Sequence, residues 1–258
     1  MESLIKPSQL KNKIKTVGIG KPITVVIIAQ DAEINIERCI KSCRNLGEVL
    51  LIDSGSSDNT VEIARRLGAK VIFQPWLGFG PQKQFGIAKA NTDWFLSLDS
   101  DEYLSETLLE EIQSLPLDDT SKAYKINRRS FFLGREVRFC GWNPDWVTRL
   151  GNRKHCNFTN DLVHEKLTGH ASEATLTGLL YHNSYTSKAD ITKKIELYGR
   201  LGQRSKTFKK NRIAVAAWSF FRTYIIRLGI LDGFTGFQIA LMNARTSYIK
   251  YTEEESSS

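Results

Sequence analysis

Asp99 and Asp101 flank a single serine directly after the apolar run Trp94-Phe95-Leu96-Ser97-Leu98. Two carboxylates at i and i+2 beyond a buried strand can both turn toward one hard cation. Mg²⁺ or Mn²⁺ is typically held in this way, by one or two carboxylates plus substrate phosphates. Asp-x-Asp is a weak pattern by itself. Its position between a strand and a helix capped at Ser105 gives it weight, against the plain alternative of a solvated capping turn. A second acidic group, Asp53 and Asp58, brackets Ser54-Gly55-Ser56-Ser57 after another apolar run. A carboxylate there can accept from a uracil N–H or a ribose hydroxyl, and Gly55 lets the backbone come close. For Asp58, capping the next helix has an equal claim.

These residues need a scaffold that points them the same way. Ile23 to Ala29 is a β-branched run of the kind buried on both faces of a sheet, and Val49 to Ile52 and Lys70 to Phe73 read as further strands. Between them, Ile36, Ile40 and Cys43 share one helical face, as do Val61, Ala64 and Leu67, with Gly68 ending the second helix. Another helix is expected from about Gln82 to Ala90 before the strand that ends at Asp99, and one more from Ser105 to about Leu115. Such alternation predicts an α/β class with a mostly parallel sheet flanked by helices. Ligands in these sheets bind beyond the carboxyl ends of the strands, where both acidic groups fall. GxxxxGK[ST], GxGxxG and GxSxG are all missing, so phosphate-loop, dinucleotide and hydrolase-elbow readings have no support.

Past Pro116 the pattern changes. Residues 123 to 183 read as short strand-like pieces and many turns, an irregular continuation of the sheet that would wall the acceptor side. From Ser187 the chain reads as helical and basic. Between Lys188 and Arg227 stand 11 Lys or Arg against two acids, and the rest of the chain is nearly neutral, with 25 positive against 26 negative charges. The adjoining stretch from Ile213 to Leu228 is apolar and aromatic, interrupted by arginines. A basic helix of that kind is expected to lie in an anionic membrane interface, against the plain alternative of a helix packed on the rest of the fold with solvated lysines. Nucleic acid is the weaker reading, because no recognised reading motif accompanies the charge. The division expected is an N-terminal segment 1–21, a domain 22–187 with halves 22–116 and 117–187, and an extension 188–258. Four scattered cysteines (Cys39, Cys43, Cys140, Cys156) form neither a disulfide framework nor a zinc cluster and favour a reducing compartment. Residues 1–21, with five lysines and no run of seven apolar residues, do not have the pattern of a signal peptide.

Taken together, Ile23 to Ala29, Glu33, Val49 to Thr60 and Trp94 to Glu102 resemble the N-terminal half of family 2 inverting glycosyltransferases. The resemblance continues at Arg149-Leu150, at Val163-His164-Glu165-Lys166-Leu167 and at His182-Asn183-Ser184-Tyr185. In this combination it is similar to bacterial lipopolysaccharide inner-core β-glucosyltransferases, over roughly residues 22 to 200. Where that family commonly reads Asn-Glu-Glu after the first strand, this chain has Asp31-Ala32-Glu33, so only Glu33 keeps the base-contacting role.

The resemblance implies a GT-A fold and a UDP-sugar donor, UDP-glucose for this subfamily, bound near Glu33, Asp53, Asp58, Lys83, Asp99 and Ser100. It also implies Mg²⁺ or Mn²⁺ at Asp99 and Asp101, with His182 completing the shell, although a buried, hydrogen-bonded structural role for His182 has an equal claim. The general base would be Glu165, with Asp161 in reserve. Trp142, Arg149 and His164 would serve the acceptor or a phosphate, although core packing has the larger claim on Trp142 and Arg149 could simply pair with a carboxylate. The acceptor would be a heptose of a lipid-anchored oligosaccharide, placing the protein on the cytoplasmic face of the inner membrane. Another surface-glycan acceptor, or a non-catalytic nucleotide-sugar or membrane-binding module, are the rival readings.

Overall fold

The computed structural model of the chain describes residues 22–160, 165–187, 189–192, 194–196 and 211–251. Asp161 and His164 lie outside the described residues, as does most of the basic run before Asn211.

Four strands, β1 (Ile23–Ala29), β2 (Val49–Asp53), β3 (Lys70–Phe73) and β4 (Trp94–Asp99), form a parallel sheet in the order β3-β2-β1-β4. Side chains alternate across a strand, so β1 feeds two cores at once. Val25 and Ile27 pack with Ile36, Cys39, Ile40 and Cys43 of α1 (Ile36–Cys43), while Val26 and Ile28 pack toward Ile87 of α3 (Phe79–Ala88). Burial of each such isoleucine contributes roughly 1.5–3 kcal/mol, which is why the run is uniformly apolar. α2 (Thr60–Arg66) buries Ala64 on the α1 side. α3 begins three residues earlier than the pattern predicts. It lies close on its neighbours because Gly80 and Gly86 have no side chain where the Thr159 backbone and Val26 pass.

The second half is more regular than expected. β6 (Lys122–Phe132) and β11 (Ser172–Tyr185) are continuous strands of 11 and 14 residues, not short pieces. β8 (Trp146–Asn152) pairs antiparallel with both β4 and β6, and β6 runs parallel to β11. Short β5 (Glu102–Leu104) pairs antiparallel with β11 before α4 (Glu106–Ser114), whose Leu108 N–H donates to the Ser105 hydroxyl at 3.1 Å. β7 (Arg135–Glu136) folds back and pairs antiparallel with the end of β6, and β9 (Asn157–Phe158) pairs with β10 (Leu167–Thr168) in a separate ribbon. Only Ser100 and Asp101 separate β4 from β5, yet three strands lie between them in the sheet order. The sheet therefore curls until its far edge returns to β4.

At the C-terminus, α5 (Arg212–Phe221) is capped by Asn211, runs into a π-turn at Arg222–Ile226, and breaks at left-handed Leu228. A 3-10 turn, Gly229–Asp232, leads into α6 (Gly233–Lys250). Ile239 and Met242 of α6 pack on Phe132, Val137 and Cys140, so this pair of helices rests on the second half of the sheet. Among the described residues no single helix is long and apolar enough to cross a membrane.

Candidate active site

The β1 and β2 loops latch onto each other at the carboxyl edge of the sheet. The Asp31 carboxylate accepts from Ser57 N–H at 2.7 Å, and Glu33 N–H donates to Asp58 at 3.0 Å. The exposed Glu33 carboxylate accepts from Asn59 N–H and from its side-chain amide, at 3.2 and 3.0 Å. Asp58 also accepts from Thr60 N–H at 3.0 Å, the capping role that had an equal claim. Burial opposes its charge, but the hydrogen bonds from Thr60 and Glu33 outweigh it and hold the carboxyl below its ordinary range. Asp53 is buried and accepts from the N–H groups of Gly55 and Ser56 and from the Ser56 hydroxyl. Its oxygens shape the turn that Gly55 completes at φ +101°, so Asp53 builds this loop from within. Gln82 of α3 ties the neighbouring loop to it, donating to Ser54 Oγ at 3.1 Å and to Gln74 O at 3.0 Å.

At the end of β4 the charges alternate in sign along one chain of contacts. Asp145 pairs with Arg128 at 2.8 Å, Arg128 with Glu102 at 3.1 Å, and Glu102 with Arg149 at 2.7 Å. Arg149 then meets Asp99 at 2.8 Å, Asp99 meets Lys83 at 2.9 Å, and Lys83 meets Glu165 at 2.5 Å. Lys83 and Glu102 are fully buried. Charges held out of water persist only when paired, and here every member shares a partner. Burial raises the Asp99 carboxyl, but Lys83 and Arg149 beside it dominate and hold it far below the ordinary range. Burial likewise works against the Arg149 guanidinium, and Glu102 and Asp99 more than compensate, pushing it up.

Three expectations change. Arg149 does not face a free phosphate site; it is buried between two carboxylates, its alternative role. Lys83 does not stand in open solvent awaiting a phosphate, because it bridges Asp99 and Glu165. Trp142 is half-buried, packing against Phe132 and stacking on Tyr185 at 5.9 Å at the edge of a buried cluster, the packing role that was its alternative. Glu102 and Arg128 were not anticipated. Glu102 had a signal, since it follows Asp101 directly, but the three-residue strand carrying it is too short to read. Arg128 had none.

Asp101 turns away from Asp99 toward β11. Its carboxylate lies 3.4 Å from His182 Nε2, and His182 Nδ1 lies 2.8 Å from Ser184 Oγ and 3.2 Å from Ser130 Oγ. Burial raises the Asp101 carboxyl, while His182 lowers it by more. Asn183 N–H donates to Asp101 O at 2.8 Å and fixes the turn against β11. Half-buried Ser100 sits between the two aspartates. Among the described residues no group of three His, Cys, Asp or Glu side chains converges closely enough to hold a metal ion. The expected trio is thus split, because Lys83 and Arg149 occupy Asp99. Asp101 and His182 remain a fitting pair for a divalent cation, an oxygen and an imidazole nitrogen with the ring oriented from behind by two hydroxyls.

The family model that matches this chain, Glycosyl transferase family 2, covers residues 24–171, from β1 to the start of β11. The chain belongs to that family. It is similar to an uncharacterized glycosyltransferase of Rickettsia bellii, 33% identical over 90% of this chain and 85% of that one. A Rickettsia typhi glycosyltransferase is 31% identical over 89% and 85%. The lipopolysaccharide core biosynthesis glycosyltransferase LpsC of Rhizobium meliloti is 27% identical over 51% of this chain and 49% of its own. As a family 2 glycosyltransferase the protein is a transferase. The parallel strands that carry Asp53, Asp99 and Asp101 to one edge are the α/β arrangement expected of the GT-A class.

Proposed function

We propose that the protein transfers a hexose, glucose from UDP-glucose, with inversion onto a heptose of a lipid-anchored core oligosaccharide in lipopolysaccharide biosynthesis. One observation carries the reading: Lys83 joins Glu165 to Asp99, so a carboxylate from the acceptor side stands beside the Asp-x-Asp turn on the donor side. The partial likeness to LpsC supports the class of acceptor. Residues 22–187 form the catalytic unit in this reading, and 188–258 form an extension resting on an anionic membrane surface.

The Glu33, Asp53 and Asp58 loops hold the nucleoside. Lys83, held between Asp99 and Glu165, adds its positive charge near the diphosphate site. Glu165 then takes the proton from the acceptor hydroxyl, whose oxygen bonds to the anomeric carbon as the bond to the diphosphate breaks and UDP leaves. Asp161 is the reserve base, and His164 contacts the acceptor. A divalent cation, when bound, would be held by Asp101 and His182 and would neutralise charge on the departing diphosphate.

Glu165→Gln is expected to lower transfer by about 10²–10⁴-fold, the usual contribution of a general base, with UDP binding by calorimetry unchanged. Full transfer by Glu165→Gln would refute the assignment. UDP binding without turnover in the unaltered protein, on heptose-containing core acceptors or other surface glycans, would point to the non-catalytic reading.

A further inference from the structure

The two C-terminal helices carry an apolar face that the catalytic unit does not use. Trp218, Phe221 and Ile225 recur at helical spacing along α5 and the π-turn, with Trp218 56% exposed. Leu231 at the break, and Phe234 and Leu241 on α6, are also exposed, Leu231 by 62% and Phe234 by 72%. Isolated exposed apolar residues need no explanation, but a continuous set on two packed helices marks an interaction surface.

The path of the chain limits how that face can be covered. The Arg212 guanidinium lies 5.1 Å over the Tyr248 ring, and Phe220 meets Phe237 edge-on at 5.7 Å. The start of α5 is therefore held against the end of α6, and the chain turns back at Leu228. The charges identify the partner. Residues 212–250 contain five cations, Arg212, Arg222, Arg227, Arg245 and Lys250, and a single acid, Asp232. That acid is turned inward, accepting from the N–H groups of Arg138 and Phe139 at 3.1 and 2.9 Å. A second copy of this surface would bring five cations against five. An anionic lipid leaflet instead gives apolar depth for the side chains and phosphates for the arginines.

We infer that the α5–α6 pair is a re-entrant wedge that inserts its exposed face, Trp218, Phe221, Ile225, Leu231 and Phe234, into one leaflet and does not cross the bilayer. The inference rests on the membrane attachment proposed above and changes its chemistry from surface charge to apolar insertion. Asp232 and the Cys140 N–H bond to Arg227 O, at 3.0 Å, join the break at Leu228 to the second half of the sheet, so insertion sets the height of the site above the membrane.

Flotation of the full chain with phosphatidylcholine vesicles, with and without phosphatidylglycerol, tests this. Binding is expected to persist at about 1 M NaCl, where charges are screened beyond about 3 Å. Brominated lipid should quench the unaltered protein more than Trp218→Phe. Leu231→Glu/Phe234→Glu should weaken flotation at least about tenfold while circular dichroism and UDP binding hold, and Phe234→Ser, which adds no charge, should weaken it less. Binding only to anionic vesicles and only at low salt would overturn insertion and leave surface attachment standing. Absence of flotation from every vesicle, or a stable dimer that the Glu double variant dissociates, would overturn both.

Discussion

Glu102→Gln is the sharpest test of the charge chain. Glutamine keeps the shape of the side chain and removes one charge at a fully buried position. The carboxylate it replaces accepts from Arg128 at 3.1 Å, from Arg149 at 2.7 Å and from Asp99 N–H at 3.0 Å. Removing one member of a buried ion pair costs about 3–5 kcal/mol, because the partner is left uncompensated. Here each arginine keeps a second carboxylate, Asp145 or Asp99, so the lower end, about 3 kcal/mol, applies. In a protein of this size 1 kcal/mol moves Tm by about 2–4 °C, which makes the expected fall about 6–12 °C. Urea unfolding should show a lower midpoint at unchanged slope. The coupling shows in a double-mutant cycle: after Arg149→Met, the same Glu102→Gln change should cost at least about 1 kcal/mol less. A loss below about 1 kcal/mol, or strict additivity with Arg149→Met, would mean that Glu102 does not hold the arginines as described.

Gly86→Ala would place a methyl 2.9 Å from Ile52 Cγ1 and still closer to Val26. It should destabilise by about 1–3 kcal/mol in urea titrations, and an unchanged midpoint would show that α3 has room to move. Burial raises the Cys43 thiol to about 12, so the folded state resists its ionisation. The stability this group contributes is intact below the unfolded thiol pKa of about 8.5 and is lost as pH climbs toward 12. Cys43→Ala should flatten the alkaline fall in urea midpoint, and an equal fall in both proteins would refute the argument.

The four-stranded parallel half was legible because burial on two faces forces uniformly apolar strands, and short parallel units put each loop at the same edge. Asp53, Asp99 and Asp101 could be placed from that alone. β6 was harder, because Lys122, Lys125, Arg128 and Arg129 interrupt it, and the two arginines make sense only once their carboxylate partners Glu102, Asp145 and Glu136 are known. The partners are distant in sequence: Lys83 reaches Glu165 across 82 residues and Arg149 reaches Asp99 across 50. No spacing rule links such pairs. Whether Arg149 meets a phosphate or a carboxylate, and whether Trp142 meets a sugar or the core, was therefore open until the curled sheet brought their neighbours together.

The two-residue step from β4 to β5 has a consequence for how the protein is made. Asp99 ends a strand whose parallel neighbour is β1, but Glu102 to Leu104 pair only with Leu180 to His182 at the end of β11. Such distant pairing must wait for the intervening loops to close, which is slow compared with the local units of the four-stranded parallel half. A ribosome-bound chain that has released β1 to β4 holds both aspartates yet has no edge to anchor the turn between them. The Asp-x-Asp turn thus takes its final place only with the last strand, whereas the Asp53 and Asp58 loops can close as soon as β1 and β2 have paired.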